Sequence, residues 1–219
     1  MAGKFHHEEL YRDRDQVERL GAVGVTLCGA GAIGSNLADN LVRQGFRSLR
    51  VIDKDRVEEH NISTQIYGEA DVGAWKVNVL KNRLFHNVGV EIDAINQELS
   101  DRTAGKFLKD SDVVIDTFDN SESRRLVQDR SRELGLACLH VGLFADYGEV
   151  LWDEGYRVPS DAGQDVCDYP LARNLILLTV ATASETLVRH ALEGVRENWT
   201  ITLRDFAIRP VERIRELLD

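Results

Sequence analysis

Residues 23–36 read Val-Gly-Val-Thr-Leu-Cys-Gly-Ala-Gly-Ala-Ile-Gly-Ser-Asn. Val23, Val25 and Leu27 make a short β-prone run. It breaks at Gly29-Ala30-Gly31-Ala32-Ile33-Gly34, after which Ile33, Leu37 and Leu41 recur at helical spacing. Strand, glycine turn and helix in that order form a nucleotide-binding fingerprint. Gly29 permits the tight turn, Gly31 leaves the backbone open to a phosphate, and Gly34 lets the helix pack close to the strand. The unpaired N–H groups and positive dipole end of that helix would face the phosphate oxygens.

Outward from this stretch the pattern repeats. Leu49-Arg50-Val51-Ile52-Asp53 reads as a second strand, and Asp53 follows Gly34 by 19 residues, where an acid binds a ribose hydroxyl in the dinucleotide fold. Residues 74–88 read as an amphipathic helix, residues 90–95 as an alternating strand and residues 112–117 as a buried strand. Asp119-Asn120 comes next, then a helix over 121–134 and a strand over 137–141. Alternating strands and helices predict an α/β fold, Rossmann-like and doubly wound, with a mostly parallel sheet and helices on both faces. Ligands in such sheets bind beyond the carboxyl ends of the strands, where the glycine turn, Asp53 and Asp119 are expected to converge.

The flanks differ. Residues 8–20 are charged and read as one helix ending at Gly21, packed through Leu10, Val17 and Leu20. Past Gly148, the sequence gives a strand over 149–152 and a polar connection over 153–170. A mostly apolar helix over 171–193, a strand over 199–207 and a charged helix over 211–218 follow. The chain is thus expected to be a single domain over residues 1–219. Residues 1–20 form an N-terminal helix, 21–147 the nucleotide-binding core, and 148–219 a crossover loop with a C-terminal partner-binding part.

Composition narrows the function. With 27 Lys and Arg against 37 Asp and Glu, the net charge of −10 and the lack of a basic run argue against nucleic acid. The N-terminus has no signal-like apolar stretch, and the longest apolar run, 175–183, is too short to cross a bilayer, so the expectation is a soluble, cytoplasmic protein. The 3 cysteines, Cys28, Cys138 and Cys167, form no C-x-x-C pair, so neither zinc nor a disulfide framework is expected. Cys28 and Cys138 lie in apolar runs, whereas Cys167 has polar neighbours.

Several of these segments together resemble one family over residues 11–193, the ThiF/MoeB/HesA adenylyltransferases related to ubiquitin-activating enzymes. Gly29-Ala-Gly-Ala-Ile-Gly34 resembles the family's nucleotide loop. Asp53-Lys-Asp55-Arg-Val57 with Asn61 and Gln65 is similar to its D-x-D-x-V…N-x-x-x-Q segment. Gly73-Ala-Trp-Lys76-Val77 resembles its G-x-x-K helix start, and Asp119-Asn120-Ser-Glu-Ser-Arg124 its D-N-x-x-[ST]-R. Cys167, shortly before a long apolar helix, resembles its crossover-loop cysteine.

The resemblance implies that the C-terminal carboxylate of a small β-grasp protein, ubiquitin-like or a sulfur carrier, attacks the α-phosphate of ATP. Asp53 would hold the ribose, Lys76 and Asn61 the phosphates, and Asp119 a Mg²⁺ ion; Gly29, Gly31, Gly34, Asp55 and Gln65 complete the nucleotide site. It also implies a homodimer in which Arg14, or else Arg12, reaches the partner's phosphates, and a Cys167 that receives the activated carboxyl or takes part in sulfur transfer. Two departures stand out: Thr64 occupies the place of an arginine in N-x-x-R-Q, and the paired C-x-x-C motifs of many bacterial members are missing. Plainer readings stand beside these roles, with Lys76 an exposed helix lysine, Asp119 a helix N-cap and Cys167 an ordinary loop cysteine. Two other functions compete: a catalytically weak partner subunit that binds a ubiquitin-like protein, and an NAD-dependent oxidoreductase.

Overall fold

The computed structural model describes residues 2–160 and 170–211. Cys167 and the expected terminal helix past residue 211 lie outside the described residues.

Strands β1 (Gly24–Cys28), β2 (Ser48–Ile52), β3 (Asp93–Ile95), β4 (Val113–Asp116) and β5 (Ala137–Phe144) run parallel. Strands β6 (Tyr147–Trp152), β7 (Trp199–Thr202) and β8 (Ala207–Pro210) then extend the sheet antiparallel. The 8-stranded order is β3-β2-β1-β4-β5-β6-β7-β8. From β1 the chain winds outward through β2 and β3, then crosses back to build β4 and β5 on the other side. The crevice at the carboxyl ends of β1 and β4 is therefore the switch point of the sheet, the usual ligand position in such folds.

Side chains alternate across each strand, so neighbouring residues feed opposite faces. Val25, Leu27, Ile115 and Leu139 join one core with Leu37 and Leu41 of α3 (Ala32–Gln44), Leu80 and Leu84 of α4 (Lys76–Val88), and Leu175, Ile176 and Leu187 of α7 (Arg173–Glu193). Cys28, Val114 and Cys138 face the other way. They meet Ala104, Phe107 and Leu108 of α5 (Asp101–Leu108) and Val127 of α6 (Ser121–Leu134). Helices on both faces complete the doubly wound architecture.

Several expected elements are redrawn. The single N-terminal helix is two, α1 (His6–Arg12) and α2 (Arg14–Ala22), parted where Asp13 takes φ 69° and accepts a hydrogen bond from the Gln16 N–H. Val17 and Leu20 of α2 are buried as expected, but Leu10 of α1 is exposed. The strand expected over 199–207 is the β7–β8 hairpin, with a turn that ends in Phe206 at φ 51°. Helix α5 was not foreseen. Helix α7, 21 residues long, is by length and composition able to cross a bilayer, unlike the shorter apolar run seen in the sequence. It nevertheless sits against α3 and β6 with Leu175, Ile176, Thr179, Val180 and Ala183 buried, as a core helix of this domain.

Candidate functional site

The glycine turn leaves β1 at the switch point. Gly29 adopts φ +104°, a left-handed backbone that favours glycine, and a Cβ there would stand 2.7 Å from Oγ1 of Thr117 at the end of β4. Thr117 Oγ1 in turn donates to the Cys28 carbonyl at 2.9 Å, locking the two strand ends together. A Cβ on Gly34 would lie far inside contact distance of the Gly29 carbonyl oxygen, so the first turn of α3 closes on the loop only because Gly34 has none. Gly31 is different: among the described residues a Cβ there would meet nothing within 4 Å. It occupies the N-cap position of α3, where no side chain caps the free N–H groups. Gly29 and Gly34 serve the protein's own packing, while the open space at Gly31 suits an anion approaching from outside.

Asp53 closes this loop from β2. Its Oδ2 accepts the Ala30 N–H and its Oδ1 the Asp55 N–H, each at 2.7 Å. Burial pushes its carboxyl pKa up, against the opposing pull of Lys76 and these N–H groups. Lys76 opens α4 and is buried, which rejects the plain exposed-lysine reading. Its Nζ lies 3.5 Å from Asp55 Oδ2, and its backbone N–H is bonded to the Asp55 carbonyl at 3.0 Å. Asn61 is buried, its Oδ1 taken by the Glu58 N–H at 2.9 Å. Gln65 is 8% exposed and its Oε1 has no hydrogen-bond partner among the described residues. Segment 61–67 is stapled to the start of α3, where Asn36 Nδ2 donates to the Thr64 carbonyl at 2.9 Å and Tyr67 Oη to the Ala30 carbonyl at 2.8 Å.

Asp119 follows β4 and is exposed, and among the described residues its carboxylate has only a 3.4 Å contact from Asn120 Nδ2. It is not the helix cap: Asn120 is, its Oδ1 accepting the Ser123 N–H at 2.9 Å. The capping role is thus already filled, and the Asp119 carboxylate is available for a cation. Among the described residues, no three His, Cys, Asp or Glu side chains are grouped to hold a metal, so an ion at Asp119 would take most of its oxygens from a bound phosphate and water.

Behind Asp119 lies a buried set of charges that the sequence reading did not single out. Asp116 and His140 are both 0% exposed, with Asp116 Oδ2 and His140 Nδ1 2.9 Å apart. His140 Nε2 faces Asp153 Oδ1 at 3.5 Å, and its ring stacks on Tyr156 at 3.7 Å between centroids. Burial alone would lower the His140 pKa, but contact with Asp116, Asp153 and Cys138 raises it to about 11. Arg124, the arginine of the D-N-x-x-[ST]-R segment, is buried 3.7 Å from Asp116 and donates to Tyr156 Oη at 3.0 Å and to the Val141 carbonyl at 3.2 Å. Asp116 Oδ1 accepts the Phe118 N–H at 3.1 Å, shaping the turn that presents Asp119. The available signal was polar residues inside apolar strands, Asp116 in Val-Val-Ile-Asp and His140 in Ala-Cys-Leu-His-Val.

The two N-terminal arginines differ. Arg12 is bound to Glu8 and, through both terminal nitrogens, to Glu185 of α7. Arg14 is exposed and, among the described residues, meets only Glu18, one turn along its own helix.

A glycine turn at the switch point, a buried acid on it and an uncapped helix end belong to a Rossmann-like, doubly wound α/β fold. The chain belongs to the ThiF family, whose profile matches residues 8–157. It is 28% identical over 154 residues to the "Sulfur carrier protein ThiS adenylyltransferase" of Bacillus subtilis (strain 168), covering 68% of this chain and 46% of that protein. It is 33% identical over 135 residues to the "Sulfur carrier protein adenylyltransferase" of Thermus thermophilus, covering 61% and 50% respectively. The chain thus spans about half the length of these relatives. Among solved structures, E. coli MccB with ATP superposes with a TM-score of 0.80 at 16% identity, over 95% of this chain and 71% of that one. E. coli MccB with AMPCPP and MccA gives 0.82 at 15%, over 99% and 73%. At such identities the likeness is one of fold.

Proposed function

We propose that this protein adenylates the C-terminal carboxylate of a small β-grasp protein, ubiquitin-like or a sulfur carrier, at the expense of ATP. One observation carries the reading: an uncapped helix end with open space at Gly31, bordered by Lys76 and Asp53. The names of the sulfur-carrier relatives support the choice of reaction.

A carboxylate oxygen of the partner attacks the α-phosphorus of ATP, the bond to the bridging oxygen breaks, and pyrophosphate leaves with the electron pair. An acyl-adenylate remains. A carboxylate is a poor nucleophile and the reacting centre gathers negative charge, so the protein's task is positioning and charge stabilisation. The amino end of α3 receives phosphate oxygens, and Lys76 with the Asn61 amide lies on their flank. Asp53 binds the ribose with the lone pairs its two backbone donors leave free. A Mg²⁺ ion on Asp119 would neutralise phosphate charge and ease departure of pyrophosphate.

Arg14 supplies a cation to the second subunit of a homodimer, a role its exposure supports. Cys167 acts after adenylation: its thiolate sulfur attacks the acyl carbon, the acyl–phosphate bond breaks and AMP leaves with the electron pair, giving a thioester; with a sulfur carrier it joins in sulfur transfer. Zinc has no place in this scheme. The cytoplasm, which holds ATP and keeps thiols reduced, is its setting. Thr64, which gives up an arginine's fork of donors, favours a second reading as a weak partner subunit.

Pyrophosphate exchange dependent on a β-grasp partner ending in Gly-Gly decides between them, with calorimetry of ATP–Mg²⁺ beside NAD. Exchange is expected, as is tighter binding of ATP. Tighter binding of NAD would overturn the reading, and ATP binding without exchange would leave the partner-subunit role. Cys167→Ala should keep exchange and abolish a partner-dependent, reductant-sensitive adduct on gels; loss of exchange would remove the assigned role.

A further inference from the structure

Arg173 is the first residue of α7 and is exposed. Its guanidinium donates to the Ser63 carbonyl at 3.4 Å, a long bond to a neutral acceptor. No carboxylate pairs with it among the described residues. Its position is unfavourable for the helix it begins: cations are stabilised at the carboxyl end of a helix and disfavoured at the amino end. The first turn of α7 carries no acidic residue, and the N-cap residue, Ala172, offers no side-chain oxygen. The helix dipole and the capping pattern therefore give no account of an arginine here, whereas an anion would satisfy both the guanidinium and the helix end.

The neighbourhood says which anion. Ser63 adjoins Thr64, whose carbonyl is tied by Asn36 to the first turns of α3. The Ile66 N–H reaches Ser35 Oγ at 3.4 Å in the same region. Further along, Asn40 Nδ2 donates to Ser184 Oγ at 2.7 Å, so the two helices lie side by side with α7 beginning at the amino end of α3. Arg173 thus overhangs the segment that borders the phosphate cradle. That segment also holds Gln65, buried with an unpartnered side-chain atom and able by an amide flip to offer a donor.

We propose that Arg173 binds the outer phosphates of ATP, on the side of the site where Thr64 offers only a hydroxyl. The proposal rests on the ATP-dependent reading above and makes Arg173 a nucleotide-binding residue contributed from beyond the crossover. A guanidinium fork suits this role, since it donates two parallel hydrogen bonds to a phosphate and never loses its charge.

Calorimetry on the full chain tests it with ATP–Mg²⁺ and with AMP as the two probes. Arg173→Ala should weaken ATP–Mg²⁺ by about 10- to 100-fold, the loss of one charge-assisted contact, while AMP binds as before. Arg173→Lys should recover part of the loss, and Thr64→Arg placed in the Arg173→Ala background should recover more. The melting temperature should not move, because Arg173 is exposed. An unchanged ATP affinity, or ATP and AMP weakened alike, overturns the assignment of Arg173 and leaves the adenylation reading standing. A wild-type protein that binds no ATP–Mg²⁺ overturns both.

Discussion

His140 and Asp116 face each other at 2.9 Å with no solvent reaching either side chain, and the imidazole is a cation well past neutral pH. Its pKa lies near 11 in the folded chain against 6.5 for an ordinary histidine, so protonation favours folding. The contribution is complete below pH 6.5 and is lost as pH climbs toward 11. His140→Phe keeps an aromatic ring over Tyr156 but takes from buried Asp116 its 2.9 Å cationic partner, leaving it Arg124 at 3.7 Å, and should cost about 3 kcal/mol. Ring-nitrogen NMR at pH 8 should find both nitrogens protonated; a neutral ring would remove the basis of this prediction.

Gly34→Ala and Gly31→Ala should part company. The first drives a methyl group into the Gly29 carbonyl, and both the melting temperature and ATP binding should fall. The second projects into open space and should change stability by no more than about 1 kcal/mol, yet it should weaken ATP by obstructing the phosphate. Equal destabilisation by the two substitutions would show that Gly31 is a packing glycine after all.

Asp119 and Asn120 are adjacent in sequence, and under the proposed function they divide chemistry from capping. Asn120→Ala removes the α6 cap and should cost about 1 kcal/mol. Asp119→Ala, at an exposed position, should leave the melt untouched while exchange drops by ~10²-fold or more. An Asp119→Ala protein that melts early and exchanges normally would reverse the assignment.

Arg12→Ala should destabilise the monomer fold by about 1–2 kcal/mol, because Glu185 loses its partner across α1 and α7. Arg14→Ala should leave the melt alone and lower adenylation, and light scattering should report a dimer in both variants. A monomer at micromolar concentration would rule out any arginine shared between subunits.

The centre of the fold was readable because its signals are local. Glycines at fixed spacing, an acid 19 residues on and a polar pair after a buried strand each describe one short stretch. What escaped depends on dihedral angles or distant partners. The break at Asp13 is one backbone conformation within an unbroken run of charge. Helix α5 hides behind Gly105, although Ser100 and Thr103, which share a hydrogen bond at its start, form a recognisable capping pair. The β7–β8 turn is a four-residue interruption in a segment whose flanks share strand-like composition. The His140 cluster joins β4, β5 and residue Asp153, elements far apart in sequence, so only folding shows that their charges compensate.

The placement of the cysteines has a practical corollary. Cys28 and Cys138 are sealed between the sheet and the α5–α6 layer, and burial, with the Asp116 charge nearby, pushes the Cys28 thiol well up. Buried away from solvent, both thiols are out of reach of alkylating reagents. The native protein therefore carries its own chemical filter. A maleimide fluorophore that attaches without unfolding the chain can be assigned to Cys167, the third cysteine of the sequence, so a single label can be placed without adding or removing a thiol.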